Sequence, residues 1–469
     1  MRQLHAAELR DSWSAWLGVC VGFIVTNFSL ALSALALLAG ARMVGSGVLA
    51  KEDSTAFVFN PALNLVFCAV IGGLVIGSST SLVVDSRRGS LARLALTGAT
   101  PGQVVSMVMS QLVVVSLASS LIGAALAYLA LQPTLNYLAY ERSEETTVLA
   151  PTAVYALWPV LLASLFAVGL ALLGGFKQAR RASRIPPVEA LRQASGGGEE
   201  RMTVWRWLRV GFCLLLIVAA YGAVPAITEV RTKETISNLI IVSLCLLILA
   251  AALLASLAPL VVGPLTRVWT RVVPSADPSW GLTRSTTVAK GARLTKSVVP
   301  VMLAIGLLFG MLALVDTFQS SAVANGFDEK LSHAGPATLA ISLGLPLLIA
   351  LAGGVGSLVM MSKQRDAELA LSGILGTTPG QRLAMPVLEG IIISVTGAIM
   401  SLVMVAIAVG FLAVGFPAAR FAFAFSPSYL TLAIAFFLAL AITVAATLLP
   451  TLASLRRPEP RVIARLVAE

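Results

Sequence analysis

The sequence predicts an all-α polytopic membrane protein, with ten transmembrane helices in a 4+2+4 parallel duplicated bundle. Three observations carry this. First, 58% of the 469 residues are hydrophobic, only 12% are charged, and the mean hydropathy is +0.91. A soluble chain carries about a quarter charged residues, so a water-soluble enzyme is excluded. Second, ten apolar runs approach or exceed the ~20 residues that a helix needs to cross hydrocarbon. Third, one loop motif occurs twice, at equivalent places. The other way to span lipid is a closed barrel of short, alternating strands, and these runs are too long and too uniformly apolar for that.

The elements follow in order. Residues 1–16 read as an N-terminal cytoplasmic amphipathic segment. Arg2 and Arg10 before an apolar run could suggest a signal peptide, but the run over 17–39 is too long for one and is read as span 1. Spans 2 to 4 lie at 62–84, 104–131 and 153–174, completing a first half over 17–192. Residues 193–262 form a linker holding spans 5 and 6 at 210–228 and 238–262, and 263–297 is a cytoplasmic connector. The second half, 298–469, holds spans 7 to 10 at 298–315, 337–361, 383–414 and 427–453.

Lys and Arg set the orientation. With the N-terminus inside, 26 of the 33 fall in inner segments and 7 in outer loops, which places both termini in the cytoplasm. The net charge of +11 then reflects basic inner loops rather than nucleic-acid binding. The outer loops, about 22, 21, 9, 21 and 12 residues long, cannot bury cores of their own.

The duplication is legible residue by residue. Arg87 to Gln103 and Arg365 to Gln381, shifted by 278, agree at eight of seventeen positions. The matches are Arg87/Arg365, Leu91/Leu369, Ala92/Ala370, Gly98/Gly376 and the Thr-Pro-Gly-Gln runs Thr100–Gln103 and Thr378–Gln381. Each copy reads as a short amphipathic helix. Leu91, Leu94 and Ala95 share one face, and Leu369, Ser372 and Gly373 another, while Arg88 and Glu368 meet water or a partner. Gly98 and Gly376 permit a left-handed helix end, and Pro101-Gly102 and Pro379-Gly380 favour a turn before Gln103 and Gln381. Both halves start on the same side, so the pseudo-axis runs along the membrane normal. A helix repeated twice suits docking to a cytoplasmic partner with two equivalent sites; a helix that only re-enters the membrane surface is the plainer alternative.

A basic cluster of Arg180, Arg181 and Arg184 follows span 4, and Arg456 and Arg457 echo it after span 10; both can hold anionic headgroups. Gly73 and Gly77 in span 2, and Gly353 and Gly356 in span 8, mark close helix packing, with spans 2 and 8 meeting or sliding near the pseudo-axis. Glu389 is the one ionisable residue clearly inside a span, near an interface where it can snorkel or cap, and Asp316 closes span 7 in solvent. No phosphate loop of the G-x-x-x-x-G-K-[ST] kind is present, and two His residues offer neither a metal cluster nor a Ser-His-Asp set. Cys20, Cys68, Cys213 and Cys245 all lie in apolar runs, so no disulfide framework is visible.

The two loops, with Ala179-Arg180-Arg181 through Pro187-Val188-Glu189-Ala190-Leu191-Arg192, resemble the FtsX-like permease family, membrane subunits of ABC transporters of the MacB, LolC/LolE and BceB type. The resemblance covers both four-span halves. The ten-span duplicated layout is similar to the BceB branch, in which one permease chain pairs with two ATPase subunits. It implies that this chain binds no cofactor itself, that ATP and Mg sit on two copies of an ABC ATP-binding subunit, and that the loops couple them to the membrane. By position that role falls on Arg87, Arg88, Leu91, Arg93, Leu94, Gly98, Thr100, Pro101, Gly102 and Gln103, and on Arg365, Asp366, Glu368, Leu369, Gly376, Thr378, Pro379, Gly380 and Gln381. The second copy has Ser372-Gly373-Ile374 against Leu94-Ala95-Leu96, so the two sites are expected to differ. MacB- and BceB-type permeases carry a sizeable extracytoplasmic domain, and these short outer loops leave no room for one. The expected function is a non-enzymatic permease subunit in the cytoplasmic membrane of a prokaryote, exporting or extracting an amphipathic substrate by mechanotransmission. A non-transporting regulator of a cell-envelope hydrolase or sensor kinase, and a secondary transporter, are the alternatives.

Overall fold

A computed structural model describes residues 13–47, 55–86, 91, 96, 98–143, 151–182, 202–229, 233–274, 277–289, 291–326, 329–374 and 376–455. Among the described residues there is no strand. The helices are α1 (Trp13–Gly45), α2 (Asn60–Ser86, entered through a π turn at Thr55–Phe59), α3 (Pro101–Ser143), α4 (Leu157–Ala182), α5 (Val204–Gly222), α6 (Val224–Ile227), α7 (Lys233–Val272), α8 (Pro278–Ala289), α9 (Ala292–Ala324), α10 (Glu329–Met360), α11 (Ser362–Ile374), α12 (Pro379–Ala418) and α13 (Tyr429–Leu455). Ten of them are long and apolar enough to cross a membrane, and each overlaps one expected span.

The fit is loosest at span 5, expected at 210–228 but formed by Val204–Gly222. The apolar run continues past Gly222, but Pro225 cannot donate to a continuing helix, so the chain turns and α6 begins. α3, α7 and α12 have 43, 40 and 40 residues. At 1.5 Å per residue each is about 60 Å long, roughly twice the hydrocarbon thickness. Length that the sequence leaves to loops therefore stands beyond the apolar layer as helix.

Within each group of four, the same pairs pack. α1 meets α2, α3 and α4, while α4 also meets α2 and α3. In the same way α9 meets α10, α12 and α13, while α13 also meets α10 and α12. Between the groups the contact is lopsided: α10 lies along both α1 and α2, whereas α9 meets α2 only briefly. Gly18 and Gly356 mark the α1–α10 crossing, where a Cβ on either would run into the other's carbonyl oxygen. A Cβ on Gly353 would likewise strike Val75 of α2. The span 8 glycines thus face the first half. Gly73 faces Leu170 of α4 instead, and Gly77 lies beside Gly174, so the Gly73/Gly77 face serves packing inside its own half rather than contact with span 8.

α7 explains the imbalance. Far from only linking the halves, it packs along α12 and α9 and reaches α2. Gly310 and Gly415 open space for Leu247 and Leu239. Ser243 donates to the Ala408 carbonyl at 2.9 Å, and Tyr221, at the end of α5, to the Ile407 carbonyl at 2.8 Å. Trp269 Nε1 donates to Thr396 Oγ1 at 3.0 Å, and Thr266 Oγ1 lies 3.2 Å from the same oxygen. Satisfying polar groups internally is what a helix surrounded by apolar neighbours requires. α5, by contrast, leaves most of its surface uncovered, with Trp205, Leu208, Phe212 and Leu215 exposed.

At the end of the bundle away from the repeated loops, each half straps an extended segment to a helix. Asn325, the C-cap of α9, both donates to the Ala422 carbonyl (2.9 Å) and accepts from its N–H (2.8 Å), as a strand neighbour would. In the first half, Gln132 of α3 accepts from the Ala153 N–H at 2.8 Å. Asp316, half-exposed about two turns before the end of α9, accepts from the Ser428 N–H at 2.7 Å.

Candidate functional site: the paired loop elements

The two repeated loops have matching local structure wherever both are described. Leu91 and Leu369 are buried at 4% and 2% exposure, anchoring each element to the bundle. Gly98 and Gly376 have φ of +96° and +94°, a region costly to any residue with a Cβ. After Gly376 the Thr377 N–H reaches the Ser372 carbonyl (3.2 Å) and the Gly376 N–H the Gly373 carbonyl (3.1 Å). This pairing closes the end of α11 as a Schellman motif.

The Thr-Pro-Gly-Gln runs are not the turns that their Pro-Gly pairs suggest. They are helix starts. Thr378 N–H donates to Gln381 Oε1 at 3.0 Å and Gln381 N–H to Thr378 Oγ1 at 3.3 Å; Thr100 and Gln103 repeat this at 2.9 and 3.4 Å. Each is a capping box with proline at the first helical position, where a missing N–H costs nothing. Thr378→Ala should therefore cost about 1 kcal/mol and speed amide exchange in the first turn of α12 alone. Exchange spreading across α11 as well would show that the cap does more than start a helix.

These elements present an exposed rim. Thr100, Pro101, Gly102 and Gln103 are exposed in one copy, and Gly376, Thr378, Pro379 and Gly380 in the other. Gln381 is half-buried. At the head of each rim stands one large aliphatic side chain, Leu96 at 54% and Ile374 at 61% exposure. The two positions correspond under the 278-residue shift. Neither was singled out from the sequence, where an apolar residue in a short loop helix reads as part of its buried face. The available signal was that both copies keep a large aliphatic there while neighbouring positions diverge. Leu371 adds a further exposed aliphatic on α11.

α11 places its other face inward. Arg365, Leu369 and Ser372, at helical spacing, are buried, and the helix packs on α13, α12 and α10. Arg365 is therefore not a rim residue: its guanidinium is 4% exposed. Its Nε donates to Glu389 Oε2 at 2.7 Å, and its Nη1 donates to the Thr447 carbonyl at 3.0 Å. Glu389, itself 5% exposed, is neither snorkelling nor capping. Lys296, assigned by sequence to the connector, is also buried, within the first turns of α9. Glu368 is half-buried, and Asp366 lies on α11. Arg180 is exposed on α4, and Arg181 lies in its last turn. Arg87, Arg88, Arg93, Leu94, Arg184, Arg456 and Arg457 lie outside the described residues. Cys20, Cys68, Cys213 and Cys245 are all free thiols.

The architecture defines a class: a duplicated helical membrane protein with a capped element beside an exposed aliphatic side chain in each half. The FtsX-like permease C-terminal family model matches residues 62–187 and 347–458, together just over half the chain. The chain belongs to the FtsX-like permease family, in a duplicated form. No curated protein matches it. Both matched segments contain one repeated loop, its capping box and the spans on either side. Membership makes the chain an ABC-transporter-type, multi-pass membrane component of a family that typically works with an ABC ATPase subunit and generally lacks an ATPase site of its own.

Proposed function

We propose that this chain is the permease subunit of an ABC transporter, and that a dimer of separate ATP-binding subunits docks on its two loop elements from the cytoplasm. Leu96 and Ile374 are the apolar tips that enter those subunits. The chain itself holds no nucleotide; ATP and Mg belong to the partner. Closure of the ATPase pair moves the loops. The long helices α3 and α12, which start at the capping boxes, carry that movement across the bilayer to export or extract an amphipathic substrate. Both termini then lie in the cytoplasm, and the basic residues after span 4 hold anionic lipid.

The observation that carries this reading is the match of the two loop elements in burial, backbone angle and capping, each ending in an exposed aliphatic. A membrane component with two like docking elements suits a two-fold partner. The ion-coupled alternative is weakened, because Glu389, its best carrier, is already committed to Arg365.

Purification from native membranes in lipid nanodiscs, followed by intact-complex mass spectrometry, tests the proposal. The expected result is an ATP-binding subunit at two copies per chain and ATP hydrolysis by the complex. A chain that arrives alone, and drives ion-dependent uptake in ATP-free vesicles, would sink it.

A further inference from the structure

The two loop elements share a fold but differ in how they can be held. Glu389 follows the capping residue Thr378 by eleven positions, and Gln111 follows Thr100 by the same interval. Both capping boxes fix helix register, so Glu389 and Gln111 occupy equivalent places on α12 and α3. Both are buried, at 5% and 2% exposure. One is a carboxylate bonded to the buried guanidinium of the loop helix; the other is an amide, which carries no charge to hold one. Arg365 meanwhile bridges three elements: it belongs to α11, pairs with α12 through Glu389, and donates to α13 through the Thr447 carbonyl. Among the described residues its Nη2 has no hydrogen-bond partner, so there the guanidinium relies on these contacts. Thr447 is itself fixed, its hydroxyl shared between the Val444 carbonyl of its own helix (2.8 Å) and the Pro386 carbonyl of α12 (3.1 Å), where Gly390 allows α12 and α13 to close together.

We infer that Glu389 is a positioning residue, which latches the second loop helix, through Arg365, to the α12–α13 pair. Gln111 denies the first half this carboxylate, so the two docking elements transmit unequally. The latch gears α11 to its membrane helices: displacement of Ile374 by a partner must move α12 and α13 with it. Charge-assisted bonds suit that task because they are short, directional and strong where water is excluded. The consequence for coupling rests on the docking reading above, whereas the latch itself rests only on geometry.

The test uses the full chain in nanodiscs, with hydrogen exchange of the amides at 362–374 as the first readout. Glu389→Gln leaves a buried guanidinium without its counter-charge and can fail to fold. The doubly neutral Arg365→Gln/Glu389→Gln variant avoids that charge while still removing the latch. It should exchange α11 amides ~10-fold faster, with α2 and α4 unchanged. Glu389→Asp should restore part of the protection. In the complex with its co-purified ATPase, the double variant should lower kcat for ATP hydrolysis several-fold at unchanged KM, with the ATPase still bound. Unchanged α11 exchange, or faster exchange with unaltered turnover, overturns the inference. A wild-type chain that binds no ATPase refutes the functional reading instead, and leaves the exchange arm to decide the latch.

Discussion

Replacing Leu96 and Ile374 together by aspartate will strip the ATP-binding subunits from the purified complex. Each tip is more than half exposed, so neither is held in place by the chain's own core. A partner groove that covers such a side chain gains about 1.5–3 kcal/mol of apolar burial. Aspartate forfeits this and asks the groove to desolvate a charge. At roughly 2 kcal/mol or more per tip, and 1.4 kcal/mol per tenfold, loss of both weakens association about a thousandfold. A single substitution leaves one element engaged, so the partner remains at high effective concentration and the defect is milder. If the latch gears the second element more firmly, Ile374→Asp will depress turnover more than Leu96→Asp. The competing use of these side chains is to rest in the membrane surface. In that case the double variant would retain its ATPase at wild-type ratio, and its only change would be in lipid association. Co-purification ratio and ATP turnover in nanodiscs separate the two uses directly.

What the sequence disclosed follows from the range of each interaction. Apolar runs report burial in lipid one residue at a time, so all ten spans were legible, although α3, α7 and α12 extend beyond them. The repeated loops were legible because identity at Arg87/Arg365, Leu91/Leu369 and Thr-Pro-Gly-Gln survives in one dimension. Their conformation was misread at Pro101 and Pro379, since a proline before glycine suits both a turn and a first helical position. The Thr-x-x-Gln spacing of a capping box was the deciding signal. The Arg365–Glu389 pair was beyond reach. The partners are 24 residues apart, and only the fold-back of α11 against α12 brings them together. One residue was read as a docking charge and the other as an interfacial acid, because a lone charge in an apolar sequence gives no hint of its counter-charge. α7 looked like a linker for a related reason: it has no counterpart in the repeat. Its place against α12 depends on small residues at Gly310 and Gly415, which a hydropathy pattern does not register.

Leucine at Gly18 or at Gly356 is expected to be among the most destabilising single substitutions in the membrane region. The two glycines bring α1 and α10 into backbone contact, and a side chain on either meets the other's carbonyl rather than a flexible neighbour. In apolar surroundings, helix association rests on such close packing, because the solvent supplies little hydrophobic drive. Overpacking costs about 1–3 kcal/mol in cores that can yield, and more where backbone must move. Here the yielding unit is a pair of helices of 33 and 32 residues. The expected result is a clear fall in the thermal midpoint in detergent, with loss of a single sharp elution peak. Because both substitutions open the same crossing, the double variant should cost little more than either alone, a non-additivity that marks one shared contact. Gly73→Ala and Gly77→Ala provide the contrast. They carry the more obvious small-residue motif, yet a Cβ at Gly73 meets only ordinary contacts with Leu170, and one at Gly77 meets nothing within 4 Å. Alanine there also favours the helix by about 1 kcal/mol, so these variants should match or exceed the wild-type midpoint. If Gly77→Ala proved as damaging as Gly18→Leu, the backbone contact at Gly18 and Gly356 would not be the tightest packing constraint between the halves.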